Sequence, residues 1–370
     1  MNFSYWEYKS WLSNIDYTIV GSGIVGLNAA LHLKTKHPKA TILVLERGML
    51  PNGASTKNAG FACFGSLSEI LDDLKSHSED EVLELIKKRV AGLQLLRENL
   101  GDKTIGYKPW GGYELFLPQD KALFQECISK IGAVNKLLKP VFKDAVFSEG
   151  SNNFNFKNVE NSLIFNQFEG QINTGKMMEA LLHKVQSAGI KILNNVNVLE
   201  YSENNTSVKV KTEHFEFNTQ KLVIATNGFA SKLGIDNVKP ARAQVLITKP
   251  IKNLKIKGTF HLDKGYYYFR NIDDRILLGG GRNLDLKGEE TTELVQTDLI
   301  QNRLEQLLKE TILPNETVEI EQRWSGVMGV GDQKIVIVKK LSDKVSCGVR
   351  LGGMGVAVGS LIGKELAEIS

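Results

Sequence analysis

The chain has 370 residues, 42% hydrophobic and 24% charged, a balance that excludes overall disorder. Its 46 basic and 42 acidic residues leave a net charge of +4 without a dense basic cluster, so no nucleic-acid partner is expected. The length suits one large domain or two of ordinary size.

Cys63, Cys127 and Cys347 lie far apart, and neither they nor the histidines show metal-ligand spacing. No metal site is expected, and a reducing, cytoplasmic compartment is the simplest expectation. No apolar run approaches the roughly 20 residues that span a bilayer. The segment up to Trp11 carries Glu7 and Lys9 and lacks an apolar signal core, so no export signal is expected.

In chain order, residues 3–11 form an aromatic-rich lead that should pack on the surface. Residues 16–20 predict a buried strand, followed at once by Gly21-Ser22-Gly23-Ile24-Val25-Gly26. Residues 27–36 predict a helix and 41–45 a second β-rich run ending at Glu46. Strand, glycine turn, helix and strand make a βαβ unit of about thirty residues. A long helix is predicted over 78–101, with Ser78 and Glu81 as a capping box, Val82, Leu85, Ile86, Val90 and Leu93 as its apolar stripe, and Gly101 as its stop. Residues 151–161 read as loop and hairpin. A helix at 176–188 precedes strands at 191–196, 207–212 and 221–224. Several β-like runs fill 239–278, a helix is predicted over 291–309, and another closes the chain over 356–369.

This order predicts an α/β protein in which a discontinuous nucleotide-binding domain carries an inserted domain with an antiparallel sheet. The expected boundaries are 1–75, 162–235 and 322–370 for the first, and 76–161 and 236–321 for the second.

The glycine motif has a strand before it and a helix after it, the context that gives it meaning. Gly21 permits the tight turn, Gly23 lets the backbone approach a pyrophosphate, and Gly26 lets helix and strand pack closely. The helix N-terminus offers free N–H groups to phosphates. Glu46 follows Gly26 by 20 residues, where a carboxylate accepts ribose hydroxyls and repels a 2′-phosphate. NAD and FAD both satisfy this fingerprint. The small-residue segment Gly53-Ala54-Ser55-Thr56-Lys57-Asn58-Ala59-Gly60 suits an extended cofactor or an ordinary surface loop.

With these motifs in this order, the chain resembles the glycine/D-amino acid oxidase family of FAD-dependent amine oxidoreductases over nearly all its length. Tyr17 to Gly23 through Leu45-Glu46-Arg47 is similar to that family's first unit. Gly53-Ala54-Ser55 with Asn58-Ala59-Gly60 resembles its GAS-x-x-N-x-G loop, and Pro240-Ala241-Arg242-Ala243-Gln244 its P-x-R-G-Q strand. Tyr266 to Arg270 with Arg275 to Gly281 resembles its substrate-domain hairpin. Trp324-Ser325-Gly326 and Gly352-Gly353-Met354-Gly355-Val356 resemble its closing motifs. The lead Ser4-Tyr5-Trp6-Glu7 is similar to the branch that includes γ-glutamylputrescine oxidase.

The resemblance implies a Rossmann-like FAD-binding domain with an inserted α+β substrate domain. It implies cofactor contacts from Gly21, Ser22, Gly23, Ile24, Val25, Gly26, Glu46 and Arg47, and from Gly53, Ala54, Ser55, Lys57, Asn58, Ala59 and Gly60. Val198 should give backbone contacts to adenine, and Ala225, Thr226 and Gly228 should pass nearby. Gly353, Met354, Gly355 and Val356 should start the last helix beneath the isoalloxazine. The FAD is expected to be non-covalent, with Cys63 the one reservation.

On the substrate side, amine oxidation by flavin asks the protein chiefly to position and desolvate. Tyr266 falls where family members place a substrate-facing tyrosine, and on a strand Tyr268 would share its face. His261 lies five residues upstream of Tyr266. Glycine oxidases carry a carboxylate-binding arginine where this chain has Met328, which cannot pair with a carboxylate. Arg350 and Arg282 are the candidate substitutes. The lysine that assists oxygen reaction in sarcosine oxidases corresponds to Leu277. The resemblance implies oxidation of a C–N bond in a small amine or amino acid by hydride transfer, with O2 or another acceptor completing turnover. Alternative readings are a flavoprotein with structural FAD acting as a binding or assembly subunit, and an NAD-dependent dehydrogenase.

Overall fold

The computed structural model describes residues 2–370. Its first layer is a parallel sheet in the order Val345–Val349, Glu216–Ile224, Ile15–Val20, Ile42–Leu45 and Lys191–Leu193. Ile42–Leu45 is buried throughout, as both faces of a parallel sheet require. Tyr17 and Ile19 point into one apolar core with the helices Ile24–Lys36, Thr174–Ser187 and Gly355–Ile369. Ile15 and Val20 point into a second, covered by an antiparallel meander of Val198–Glu203, Val208–Thr212 and Glu216–Ile224.

The second layer is an eight-stranded sheet. It runs Ile320–Val330, Lys239–Thr248, Arg275–Gly280, Tyr267–Ile272, Thr259–Leu262, Gly112–Glu114, Ser162–Asn166 and Phe147–Ser151. Every pairing is antiparallel except that of Thr259–Leu262 with Gly112–Glu114. Alternation along Tyr267–Ile272 sends Tyr267 and Phe269 into a core shared with the helix Asp298–Leu307. Tyr268 faces the opposite way, toward Ala59 and Phe61 of the first layer's loop. That opposite face is where the two layers meet.

Several elements differ from the sequence reading. Ser162–Asn166 and Ile320–Val330 pair within the antiparallel sheet, so sheet membership moves the expected boundaries at 162 and 322. The helix predicted over 291–309 starts only at Asp298. The Gln244 side-chain oxygen accepts the Thr297 N–H at 2.9 Å, and its Nε2 donates to Thr297 Oγ1 at 3.0 Å, fixing the preceding segment as irregular chain. The strand at 191–196 shortens to Lys191–Leu193, and helices Leu67–Asp73 and Lys121–Leu138 were not anticipated. The Ser78/Glu81 capping box and the hairpin joining Phe147–Ser151 to Ser162–Asn166 are present.

The helices Ile24–Lys36 and Gly355–Ile369 touch through glycines. A methyl group on Gly359 would stand 2.7 Å from Ile24 Cγ2, and one on Gly363 would stand 2.7 Å from the Val25 carbonyl oxygen. Backbone on the far side cannot retreat as a flexible side chain would. Gly363→Val is therefore expected to destabilise the protein by about 1–3 kcal/mol, read as a lower denaturation midpoint. An unchanged midpoint would show that the helices are free to separate.

Candidate functional site

The turn after Ile15–Val20 is shaped by glycine. Gly21 holds φ +106°, and a methyl group there would stand 2.7 Å from the Ala225 carbonyl oxygen. Gly23 is the extended N-cap of the helix Ile24–Lys36. The Ile24 N–H donates to Ser55 Oγ at 2.9 Å, which draws the small-residue loop onto the helix N-terminus. Glu46 is buried and ties two segments together. Its Oε2 accepts from Ser22 Oγ at 2.6 Å and the Ser22 N–H at 3.2 Å, and its Oε1 accepts the Gly48 N–H at 2.9 Å. The Arg47 guanidinium lies 3.6 Å over the Phe229 ring, where burial lowers its pKa against the opposing pull of Glu46.

These parts border a continuous trough lined by Val20, Gly21, Gly23, Glu46, Arg47, Gly53, Ala54, Ser55, Val198, Ala225, Thr226 and Phe229. Thr226 Oγ1 is buried there without a hydrogen-bond partner. Glycine-walled backbone, a helix N-terminus, a carboxylate and an unpaired hydroxyl along one groove fit an extended dinucleotide such as FAD.

Not every expected contact lines the groove. The Ser22 N–H and hydroxyl are spent on Glu46. Val25 and Gly26 serve helix packing. The Asn58 amide braces its own loop, donating to the carbonyls of Ala54 and Ser55 and accepting the Gly60 N–H at 2.8 Å. The Lys57 carbonyl accepts Trp324 Nε1–H at 3.0 Å, tying that loop to the antiparallel sheet. Gly228 packs on the Met328 backbone, where a methyl group would stand 2.5 Å from the carbonyl oxygen.

Beyond the Asn58–Phe61 segment lies the sheet face. Ala59, Val245 and Leu277 pack with Phe61, Tyr268 and Trp324. Burial pushes the Tyr268 phenol up to about 12, so it stays neutral. His261 stands opposite Tyr268 across the strand pair, and its Nε2 meets Glu169 Oε1 at 2.6 Å. The same oxygen accepts the Thr259 hydroxyl at 2.8 Å, while Glu169 Oε2 is buried without a partner. Burial opposes charge on the His261 ring, but the Glu169 carboxylate outweighs it and raises the ring to about 9. Glu169 was not anticipated from the sequence, and neither was the buried Arg270 beside this face.

Two expected substrate residues lie elsewhere. Tyr266 does not share the face of Tyr268. The chain reverses through Asp263 and Lys264, both left-handed at φ +49° and +51°, and the strand begins only at Tyr267. Alternation therefore starts one residue too late for Tyr266, which packs partly against the opposite core. Arg350 points outward: Nε donates to the Ile335 carbonyl at 2.8 Å and Nη1 to that of Asn237 at 3.2 Å. Its side chain is held among these surface segments. Met328 lies beside the glycine turn, with Sδ 3.9 Å from where a Gly353 side chain would begin. That turn leads through Met354 into the helix Gly355–Ile369, whose first N–H groups have no side-chain cap.

Because folding raises the His261 pKa, the Glu169 pair stabilises the protein fully below the unfolded value of about 6.5. That contribution is lost as pH rises through about 9. Urea unfolding at pH 6.5 and 9.5 should show this loss in the native protein and a smaller one in His261→Asn. Equal pH dependence in both would dissociate the ion pair from stability.

A model of the FAD dependent oxidoreductase family (DAO) matches residues 16–369. The chain is 24% identical over 381 residues to a γ-glutamylputrescine oxidoreductase of Escherichia coli, covering 96% of this chain and 83% of that protein. It is 22% identical, with the same coverage, to a probable oxidoreductase, OrdL, of Haemophilus influenzae. The fold superimposes on glycine oxidase from Geobacillus kaustophilus with a TM-score of 0.76 at 17% identity, covering 96% of this chain and 94% of that one. With trough, glycine turns and sheet face in the order that this family model spans, the chain belongs to the DAO family and is an FAD-dependent oxidoreductase.

Proposed function

We propose that this protein oxidises a C–N bond of a small amine or amino acid, with FAD held non-covalently in the trough. The observation that carries the reading is the junction itself. The loop that borders the dinucleotide trough at Gly53, Ala54 and Ser55 continues through Asn58–Phe61 into the buried aromatic contact between the two layers. When bound, FAD would supply the two-electron acceptor that receives hydride. The chain's own groups hold and desolvate. Glu46 offers acceptor oxygens to the ribose, and the Ile24 and Gly355 helix ends favour negative charge at the pyrophosphate and at the flavin. Phe61, Tyr268 and Leu277 exclude water and favour the uncharged amine, the form whose lone pair drives oxidation. The three cysteines are buried, and burial together with Glu169 and Glu69 keeps the Cys63 thiol strongly protonated, which favours a non-covalent flavin. O2 or another acceptor would complete turnover, and a cytoplasmic setting suits the reduced cysteines.

One feature favours a second reading, FAD as a structural element of a binding subunit. The position expected to carry a carboxylate anchor is Met328, and the Arg350 side chain is held at the surface. Anaerobic addition of amines separates the two. Bleaching of the flavin by any amine supports the enzyme, and a flavin inert to a broad amine panel supports the structural role.

Acid precipitation should release all yellow colour into the supernatant, and flavin retained in the pellet would overturn non-covalent binding. Glu46→Ala should weaken FAD binding about ten- to a hundred-fold, the loss of a charge-assisted hydrogen-bond set. Unchanged affinity in titration would remove Glu46 from the ribose site. Glycine and sarcosine should turn over poorly beside longer secondary amines, because Met328 offers an apolar contact in place of a cation. Efficient glycine turnover would refute that specificity.

A further inference from the structure

The aromatic-rich lead, which the proposed chemistry does not use, is ordered and turned outward. Ser4 and Glu7 close a capping box over Tyr5–Glu7, and the chain continues as a wider π turn over Tyr8–Leu12. At one end Phe3 packs edge-on against Phe215 at 5.2 Å, and at the other Leu12 is buried in the second core. Between these anchors Tyr5, Trp6, Tyr8 and Trp11 are 67%, 74%, 49% and 39% exposed. Among the described residues no other aromatic ring is exposed to this degree, although the chain has 16 Phe, 9 Tyr and 4 Trp. Rings of that size are costly to leave in water, and their concentration on one short segment marks a contact surface.

The lead runs into Ile15–Val20, and so lies at the edge where the parallel strands begin. Lys191 opens the last strand of that sheet; its Nζ donates to the Ser10 carbonyl and stands 5.8 Å over the Trp11 ring. The same edge gathers lysines far apart in sequence. Lys36 and Lys39 stand at the end of Ile24–Lys36, Lys221 beside Tyr17, and Lys340 and Lys344 around the turn into Val345–Val349. Burial, and then the charges of Lys340 and Lys36, lower the pKa of Lys221 against the opposing pull of Asp343, so these ammonium groups crowd one another. Lys36 Nζ donates to the carbonyls of Ala367 and Glu368 at 3.4 and 3.2 Å, which satisfies its hydrogens and leaves its charge. Among the described residues none of these six lysines is ion-paired with an Asp or Glu side chain, whereas Lys87 pairs with Glu84 and Lys249 with Glu319 elsewhere on the surface. Of the carboxylates nearby, Glu7 is spent on the capping box and Asp16 accepts the Thr41 N–H at 2.7 Å, which leaves Asp343 and Glu368. The trough lies at the opposite, carboxyl edge, beyond the six residues of Ile15–Val20, or about 20 Å away.

Exposed Trp and Tyr beside lysines have the chemistry of a membrane–water interface. The ring bodies leave water, their N–H and O–H tips stay among the headgroups, and the ammonium groups meet anionic phosphates. We propose that this edge docks the protein on an anionic bilayer surface, with the lead in the headgroup layer and the trough facing away. No helix among the described residues is long and apolar enough to cross a membrane, so the attachment is to the surface and reversible. A second copy is a poorer occupant, since a two-fold contact would set one lysine edge against another. A nucleic-acid strand is tracked by a basic groove, whereas these lysines are strung along a sheet edge beside an exposed helical turn.

The test uses the full-length holoprotein with vesicles of phosphatidylcholine alone or mixed with phosphatidylglycerol. Co-sedimentation should show binding to the mixed vesicles about tenfold or more tighter than to the neutral ones, and high salt should reverse it. Trp6→Ser/Tyr8→Ser should weaken that binding about tenfold or more. Lys39→Glu/Lys344→Glu should weaken it to a similar extent. Both double variants should keep the native content of bound FAD, because none of the four residues borders the trough. Native protein left in the supernatant with both kinds of vesicle overturns the proposal, as does a folded variant of either kind that binds as the native protein does. A dimer in light scattering that dissociates in Trp6→Ser/Tyr8→Ser overturns it and assigns the rings to a second copy. Binding of a single-stranded oligonucleotide in preference to the mixed vesicles overturns it in favour of a nucleic acid. If a variant does not fold, the native protein's preference for anionic vesicles and its loss in salt remain the deciding measurements.

Discussion

The close approach of two helices through glycine sets the geometry on which the trough depends. Ile24–Lys36 begins at the Gly21–Gly23 turn, and Gly355–Ile369 begins at the Gly352–Met354 turn. Gly359 and Gly363 bring the second helix against Ile24, Val25 and Asn28 of the first, with backbone in contact where a side chain would otherwise stand. Two helix N-termini, each with unsatisfied N–H groups, are thereby fixed relative to one another at the parallel sheet. An extended dinucleotide with a charged pyrophosphate and a distant redox ring needs two such favourable ends at a constant separation. Gly348 extends the same economy to the sheet, where a methyl group would crowd Leu366 and Val25.

The antiparallel sheet solves a different problem: it must present polar groups on a dry surface without losing the surface. Where charge is buried, it is mostly paired within the chain. Arg242 with Glu289 anchors the irregular segment before Asp298–Leu307, and His261 with Glu169 joins Thr259–Leu262 to the Glu169 loop. Glu114 is enclosed by the hydroxyls of Ser66 and Ser68, and burial raises its pKa against those hydrogen bonds. Such pairs add little net stability over an apolar substitute, but removing one partner leaves an uncompensated charge. Their value lies in fixing which strands and loops meet. Arg89 and Arg270 stand apart from that pattern, both buried without an ion pair among the described residues.

What the sequence disclosed follows from range. The Gly21–Gly26 turn, Glu46 at the end of the second strand, and the Ser78/Glu81 cap are each set by neighbours within a few turns of chain, so pattern and spacing exposed them. The His261–Glu169 pair joins residues 92 apart, and nothing in the local sequence around Glu169 marks it as the partner of a histidine. Tyr266 failed for a local reason: three consecutive tyrosines read as strand, but the left-handed Asp263-Lys264 turn delays the strand by one residue and inverts which face that ring takes. Arg350 was placed correctly next to the glycine turn, yet its own left-handed φ of +66° accompanies a side chain bonded to surface carbonyls, a direction no spacing rule encodes. The helix over 291–309 lost its first two turns, its start held back to Asp298 by Gln244, a residue far upstream.

Family membership and substrate choice therefore rest on separable parts of the molecule. The trough is largely backbone: glycine turns, helix ends and carbonyls, which many sequences can build at low identity because few side chains are needed. The sheet face is made of side chains, and there the chain departs from what its motifs imply, with Leu277 and Met328 in place of cations and the Tyr266 ring turned away. Exchanging a cation for an apolar group at one strand position removes the partner that an anion needs on a dry surface, and so changes recognition without changing the fold. A scaffold whose cofactor is held by backbone can move its charges along neighbouring strands and change what it recognises without disturbing what it binds for chemistry.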